Sequence, residues 1–129
     1  GGFVEERILI IDDDADYIAI LRHKLREIGY PDVGTEELSK RAAERFRKGA
    51  DYDLALIDMT MPEMSGMEVF AKVAAQRPDL ASRFVFMTGG AITPEAREFV
   101  KDTSLVCLDK PFELHQIREL VRERAEEVA

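Results

Sequence analysis

Short runs of consecutive apolar residues alternate along the chain with longer stretches in which apolar positions recur every three or four residues. The runs are Ile8-Leu9-Ile10-Ile11, Leu54-Ala55-Leu56-Ile57, Phe84-Val85-Phe86-Met87 and Leu105-Val106-Cys107-Leu108. Unbroken apolar tetrads predict strands covered on both faces, as in a parallel sheet. A further strand, short and polar, is predicted over Asp32-Val33-Gly34-Thr35.

The intervening stretches read as helices. Asp14 is placed to cap the first, with Ile18, Leu21, Leu25 and Ile28 on one face and Gly29 as its stop. Thr35 is predicted to cap the second, with Glu36 and Glu37 in its first turn, Leu38, Ala42 and Phe46 on the inner stripe and Gly49 at its end. The third is predicted from Gly66 to Gln76, using Met67, Phe70 and Ala74, with Pro78 closing it. Thr93-Pro94 reads as an N-cap followed by proline at the first helical position, opening a short helix that uses Phe99 and Val100. The last helix, from Glu113 to Val128, is expected to bury Leu114, Ile117, Leu120 and Val121. Five strands alternating with five helices imply right-handed crossovers and an α/β, doubly wound parallel sheet.

Composition narrows the class. A chain of 129 residues is the size of one domain, so 1–129 is read as a single domain with its core at about 7–128 and residues 1–6 as tag or linker. The net charge of −8 argues against nucleic acid as a direct partner. A single cysteine excludes an internal disulfide and fits a reducing compartment. No apolar run approaches the roughly 20 residues of a membrane span, and no signal peptide opens the chain. The expectation is a cytoplasmic domain without membrane contact.

The chemistry sits where strands end. In a doubly wound sheet the C-terminal strand ends share one edge, and ligands bind there. Asp12 and Asp13 end the first strand, Asp58 the third, Thr88 the fourth, and Lys110 follows the fifth. Carboxylates crowded together disfavour one another's ionisation. A divalent cation relieves that conflict, and an all-oxygen donor set without Cys or His suits Mg²⁺ better than Zn²⁺. Lys110 adds a fixed positive charge and Thr88 a hydroxyl, beside Gly89 and Gly90, whose N–H groups can face an anion. Around one aspartate these groups make a receptor for a phosphoryl group carried on Asp58, and reversible aspartyl phosphorylation is the reading that uses all of them. Taken singly, an acid pair is a solvated turn with a helix cap, a strand-end Asp a turn residue and Lys110-Pro111 a surface lysine before a turn. Their coincidence on four strand ends favours the functional reading.

With these residues in view, the chain resembles the receiver domain of two-component response regulators. The match is carried by Ile8-Leu9-Ile10-Ile11-Asp12-Asp13-Asp14, by Asp58 with Met61-Pro62-Glu63-Met64-Ser65-Gly66, by Thr88-Gly89 and by Lys110-Pro111-Phe112. The resemblance implies a flavodoxin-like (βα)5 sandwich with strand order 2-1-3-4-5 and phosphorylation of Asp58 by a histidine-kinase phosphohistidine. It implies Mg²⁺ held by Asp13, Asp58 and the backbone carbonyl of Thr60, with Asp12 acting partly through water. Phosphoryl oxygens would meet Thr88, Lys110 and the N–H groups of Thr60 and Gly89, and the Lys110-Pro111 bond would be cis. Thr60 and Gly90 would flank the path of the hydrolytic water. Implied partners are a histidine kinase, a histidine phosphotransfer protein and a second copy in a weak dimer. Similarity of the stretches from Phe84 to Pro94 and from Cys107 to Phe112 to the C-terminal receivers of hybrid sensor kinases adds a longer parent kinase as a setting. Output is expected through a partner protein or that parent.

The chain departs from the family at Cys107, where receivers place an aromatic or histidine switch residue three positions before the lysine. A small thiol there reads as a buried hydrophobe rather than a redox group. His23 and His115 read as solvated helix residues, and Met59, Met61, Met64 and Met67 as loop packing. Two rival classes remain: a haloacid-dehalogenase-like phosphatase, since Asp58-Met59-Thr60 matches an Asp-x-Thr nucleophile loop, and a receiver-like binding module that has lost phosphorylation.

Overall fold

The computed structural model describes residues 6–90, 92–103 and 105–128, with the side chains of 124–128 excepted. Residues 1–5, most of the segment read as tag or linker, lie outside the described residues. Five parallel strands, β1 (Ile8–Ile11), β2 (Val33–Glu36), β3 (Leu54–Asp58), β4 (Phe84–Thr88) and β5 (Cys107–Asp109), lie in the order β2-β1-β3-β4-β5. The helices are α1 (Ala15–Glu27), α2 (Ser39–Arg47), α3 (Gly66–Gln76), α4 (Pro94–Thr103) and α5 (Leu114–Val128). This is the flavodoxin-like sandwich that the sequence implied.

Alternation along each strand divides the core in two. Leu9, Ile11, Ala55, Ile57, Phe84 and Phe86 face one layer, where Ala42 and Phe46 of α2, Val69, Phe70 and Val73 of α3 and Ala96 of α4 cover them. Ile8, Ile10, Leu54, Leu56, Val85 and Met87 face the other, under Ile18, Leu21 and Leu25 of α1 and Ile117, Leu120 and Val121 of α5. Each Val, Leu, Ile, Phe or Met side chain among them, where fully buried, contributes about 1.5–3 kcal/mol from loss of apolar contact with water. In the first layer the rings of Phe46, Tyr52, Phe70, Phe84, Phe86 and Phe99 interlock at centroid distances of 5.4 to 5.8 Å, most of them edge to face.

Caps fix several helix starts. Asp14 accepts the Tyr17 N–H, Thr93 accepts the Ala96 N–H ahead of Pro94, and Ser65 with Glu68 forms a reciprocal capping box. The helix predicted from Thr35 begins instead at Ser39. Thr35 and Glu36 belong to β2, in register with Ile10 and Ile11, and the ladder continues as Asp12 N–H donates to the Glu36 carbonyl at 3.1 Å. Pairing with a fully buried strand outweighs the capping tendency of one threonine. Arg45 of α2 reinforces the outcome, donating to the Thr35 carbonyl at 3.0 Å and to Glu36 at 3.1 Å. Leu38 becomes the N-cap, without a side-chain cap bond, and is 51% exposed rather than part of an inner stripe.

Two further corrections concern register. The ladder with β4 pairs Phe86 with Cys107 and Thr88 with Asp109, so β5 runs two residues later at its start than Leu105. On α3 the buried face is Gly66, Val69, Phe70 and Val73, with Met67 and Ala74 partly buried beside it. Gly66 sets this rotation, because a Cβ there would lie 2.2 Å from the Asp58 carbonyl oxygen. Beyond α3, Pro78 opens a 3-10 helix, Pro78–Arg83, that seats Leu80 in the core.

Candidate functional site

Three of the five strands deliver the charged groups of this site to the C-terminal edge. Asp12 follows β1 and is fully buried. Its Oδ1 accepts the Asp14 N–H at 3.0 Å, so the turn into α1 holds the carboxylate in place. Asp13 beside it is exposed, and Asp58 at the end of β3 is half-buried. Oxygens from these three residues lie within 4.8 Å of one another.

Lys110 enters from the loop after β5. Its N–H donates to the Thr88 carbonyl at 2.8 Å, and the Lys110-Pro111 bond is cis. The ammonium reaches Asp12 Oδ2 at 2.5 Å and Asp58 Oδ2 at 3.0 Å. Asp58 Oδ1 accepts the Thr60 N–H at 2.9 Å. Burial raises the Asp58 pKa above the usual carboxylate value, more than the bonds from Thr60 and Lys110 lower it, and Asp12 raises it further. For Lys110, burial acts to lower the pKa, but the bonds to Asp12 and Asp58 outweigh it and the value is raised.

The structure thus brings Asp12, Asp13, Asp58, Lys110 and the Thr60 N–H together. Gly89 lies alongside, where a Cβ would sit 3.6 Å from Lys110 Cδ. The Thr88 hydroxyl donates to the Gly90 carbonyl at 3.4 Å rather than to Asp58. Thr88 and Thr60 instead line the mouth of a cavity of about 220 Å³ with Met59, Ser65, Thr93 and Ala96. Cys107 sits apart on β5, its Sγ 3.8 Å from Met59 Sδ. Met59 and Met61 are buried and Met64 and Met67 pack on the core, as expected of loop packing. His23 is largely exposed, 2.9 Å from Glu27.

One residue of the site escaped sequence reasoning. Tyr17, in the first turn of α1, places its ring face 4.5 Å from Lys110 Nζ. The available signal was an aromatic three residues after the Asp14 cap, a position aimed back at the strand edge.

Such a cluster, on this sheet order, defines a known class of signalling module. Residues 8–122 match the family model described as response regulator receiver domain. The transcriptional regulatory protein ZraR of Escherichia coli is 32% identical over 111 residues, covering 86% of this chain and 24% of its own length. Sensor kinase CckA of Brucella abortus is 33% identical over 120 residues, 92% of this chain and 12% of its own. The chain thus spans about a quarter or less of these two relatives. A receiver domain from Methanospirillum hungatei superposes with a TM-score of 0.81 at 27% identity, over 95% of this chain and 98% of that one. The chain belongs to the response regulator receiver family and is a receiver domain of two-component signalling. Among the described residues, no helix is long and apolar enough to cross a membrane.

Proposed function

We propose that the chain is a phosphoacceptor that takes a phosphoryl group from a histidine kinase onto Asp58. The observation that carries this reading is the placement of the Lys110 ammonium between Asp12 and Asp58 beside the Thr60 N–H. An Asp58 carboxylate oxygen forms the new bond to phosphorus as the P–N bond of the donor phosphohistidine breaks, its electron pair leaving on the imidazole nitrogen. Lys110, the Thr88 hydroxyl and the N–H groups of Thr60 and Gly89 donate to the phosphoryl oxygens and stabilise the charge that develops there. Thr60 and Gly90 flank the approach of the water that later hydrolyses the acyl phosphate. The chain catalyses its own modification and is not a conventional enzyme.

The donor set fits Mg²⁺. Three carboxylates with oxygens within 4.8 Å face one ammonium, an imbalance that a hard divalent cation with oxygen ligands offsets. Asp13, Asp58 and the Thr60 carbonyl would hold it directly, and Asp12 partly through water. When bound, the ion supplies charge neutralisation at the phosphoryl oxygens.

The domain is read as acting from the cytoplasm, alone or within a longer parent. Similarity to a stretch of sensor kinase CckA supports a hybrid kinase as one such parent, with a histidine phosphotransfer protein as onward partner and a weak dimer as a further association. Incubation with acetyl phosphate and Mg²⁺ should add the mass of one phosphoryl group, and Asp58→Asn should not gain it. No gain in the wild-type chain would leave only an inert binding module.

A further inference from the structure

Four contacts close a circuit around the ammonium. The Asp14 N–H donates to Asp12 Oδ1 at 3.0 Å, the Tyr17 N–H to Asp14 Oδ1 at 3.1 Å, and Lys110 to Asp12 Oδ2 at 2.5 Å. The Tyr17 ring, 4.5 Å from Lys110 Nζ, completes the loop. An ammonium carries three N–H groups. Here its neighbours are two carboxylates and one aromatic face, and the lysine side chain is only 16% exposed.

We propose that Tyr17 is a positioning residue for phosphorylation, its ring face setting where the Lys110 ammonium stands between Asp12 and Asp58. The inference rests on the phosphoacceptor reading of Asp58. To meet a phosphoryl oxygen the ammonium must loosen its bond to Asp58 without escaping to water. A ring face attracts a cation over a broad area without demanding a single hydrogen-bond direction. Lys110 can therefore pivot from carboxylate to phosphoryl oxygen while keeping this neighbour. The ring itself is held by its backbone, since the Tyr17 N–H satisfies the cap of α1. Its hydroxyl is not needed for the role. Tyr17 also lines a cavity of about 430 Å³ with Leu21, Pro111 and Phe112.

The test compares Tyr17→Phe, which keeps the ring, with Tyr17→Leu, which keeps bulk but not the π-face. Tyr17→Phe should take phosphate from acetyl phosphate at the wild-type rate, and Tyr17→Leu about threefold to tenfold more slowly. Mono-, di- and trifluorinated phenylalanines at position 17 withdraw electron density from the ring face at nearly constant shape. Their rates should fall with each fluorine while the melting temperature stays level. A flat rate across the fluorinated series, or a wild-type rate in Tyr17→Leu, would overturn the proposal. A second readout uses the protein alone: upfield shielding of the Lys110 ε-methylene protons, lost in Tyr17→Leu. Unshielded ε-methylene protons in the wild type would overturn the contact itself. Failure of the wild-type chain to take up phosphate would instead overturn the phosphoacceptor reading.

Discussion

Cys107 Sγ lies 3.8 Å from Met59 Sδ, so the position that carries a switch ring in other receivers is here one half of a sulfur pair. Met59 is 3% exposed and directly follows Asp58. A thiol this short has no ring to swing, and it packs against the same apolar cluster as Ile92 and Phe99.

Phosphorylation should therefore be felt in the loop after β4 more than on β5. With beryllofluoride as phosphate mimic, amide shift changes at Gly89, Gly90 and Thr93 should exceed those at Cys107 and Leu108. Larger changes on β5 would show that the thiol position transmits the signal after all. Burial, aided by Asp109, raises the thiol pKa, so alkylation of Cys107 near neutral pH should run well behind that of an unstructured cysteine peptide and gain on it as pH rises.

Gly66 touches the phosphoacceptor strand through its missing side chain. A Cβ there would stand 2.2 Å from the Asp58 carbonyl oxygen, while the Gly66 N–H donates to the Met59 carbonyl at 3.1 Å. Gly66→Ala should cost about 3 kcal/mol by urea denaturation, since the clash is with backbone and not with a movable side chain. An effect below about 1 kcal/mol would mean that α3 slides away easily.

The raised Asp58 pKa makes stability depend on pH in a stated direction. In the unfolded chain Asp58 ionises near its ordinary value of about 3.9. Between that value and its higher folded one, the native state holds a proton that the unfolded chain has lost. Stability therefore falls as pH rises through this window and levels off above it. Asp58→Asn should flatten that part of the curve. Lys110, also raised, contributes stability below the unfolded lysine pKa and loses it at alkaline pH as the folded value is passed. Denaturation midpoints recorded across the acid range for both chains check the sign.

If Mg²⁺ binds the folded chain alone, free ion at 100 times its dissociation constant should add about 2.7 kcal/mol. Thermal melts with and without the ion read this as an upward shift, and Asp13→Asn should remove most of it. A shift that persists in the variant would place the ion elsewhere.

Much of this architecture could be read from the chain because its strongest signals are local. Unbroken apolar tetrads such as Ile8–Ile11 and Leu54–Ile57 have no other place than a doubly covered sheet, and the charged residues after them fall at one edge by topology alone. The errors came where partners distant in sequence decide. Thr35 and Glu36 look like a helix start until β1 is laid beside them, and β5 takes its bounds from β4. Tyr17 was out of reach for the same reason. Its ring meets a lysine from the far end of the chain, and a hydrophobic pattern carries no record of which cation an aromatic will cover.

The two outermost strands, β2 with four residues and β5 with three, have a bearing on how copies of this domain behave when crowded. Rims this brief offer few free amide groups for another chain to zip onto. On β2 the Thr35 carbonyl is already taken by the Arg45 guanidinium. Fibril-like stacking through strand addition is thereby discouraged, and a cell can hold such a domain at high concentration with contacts between copies left to its helices.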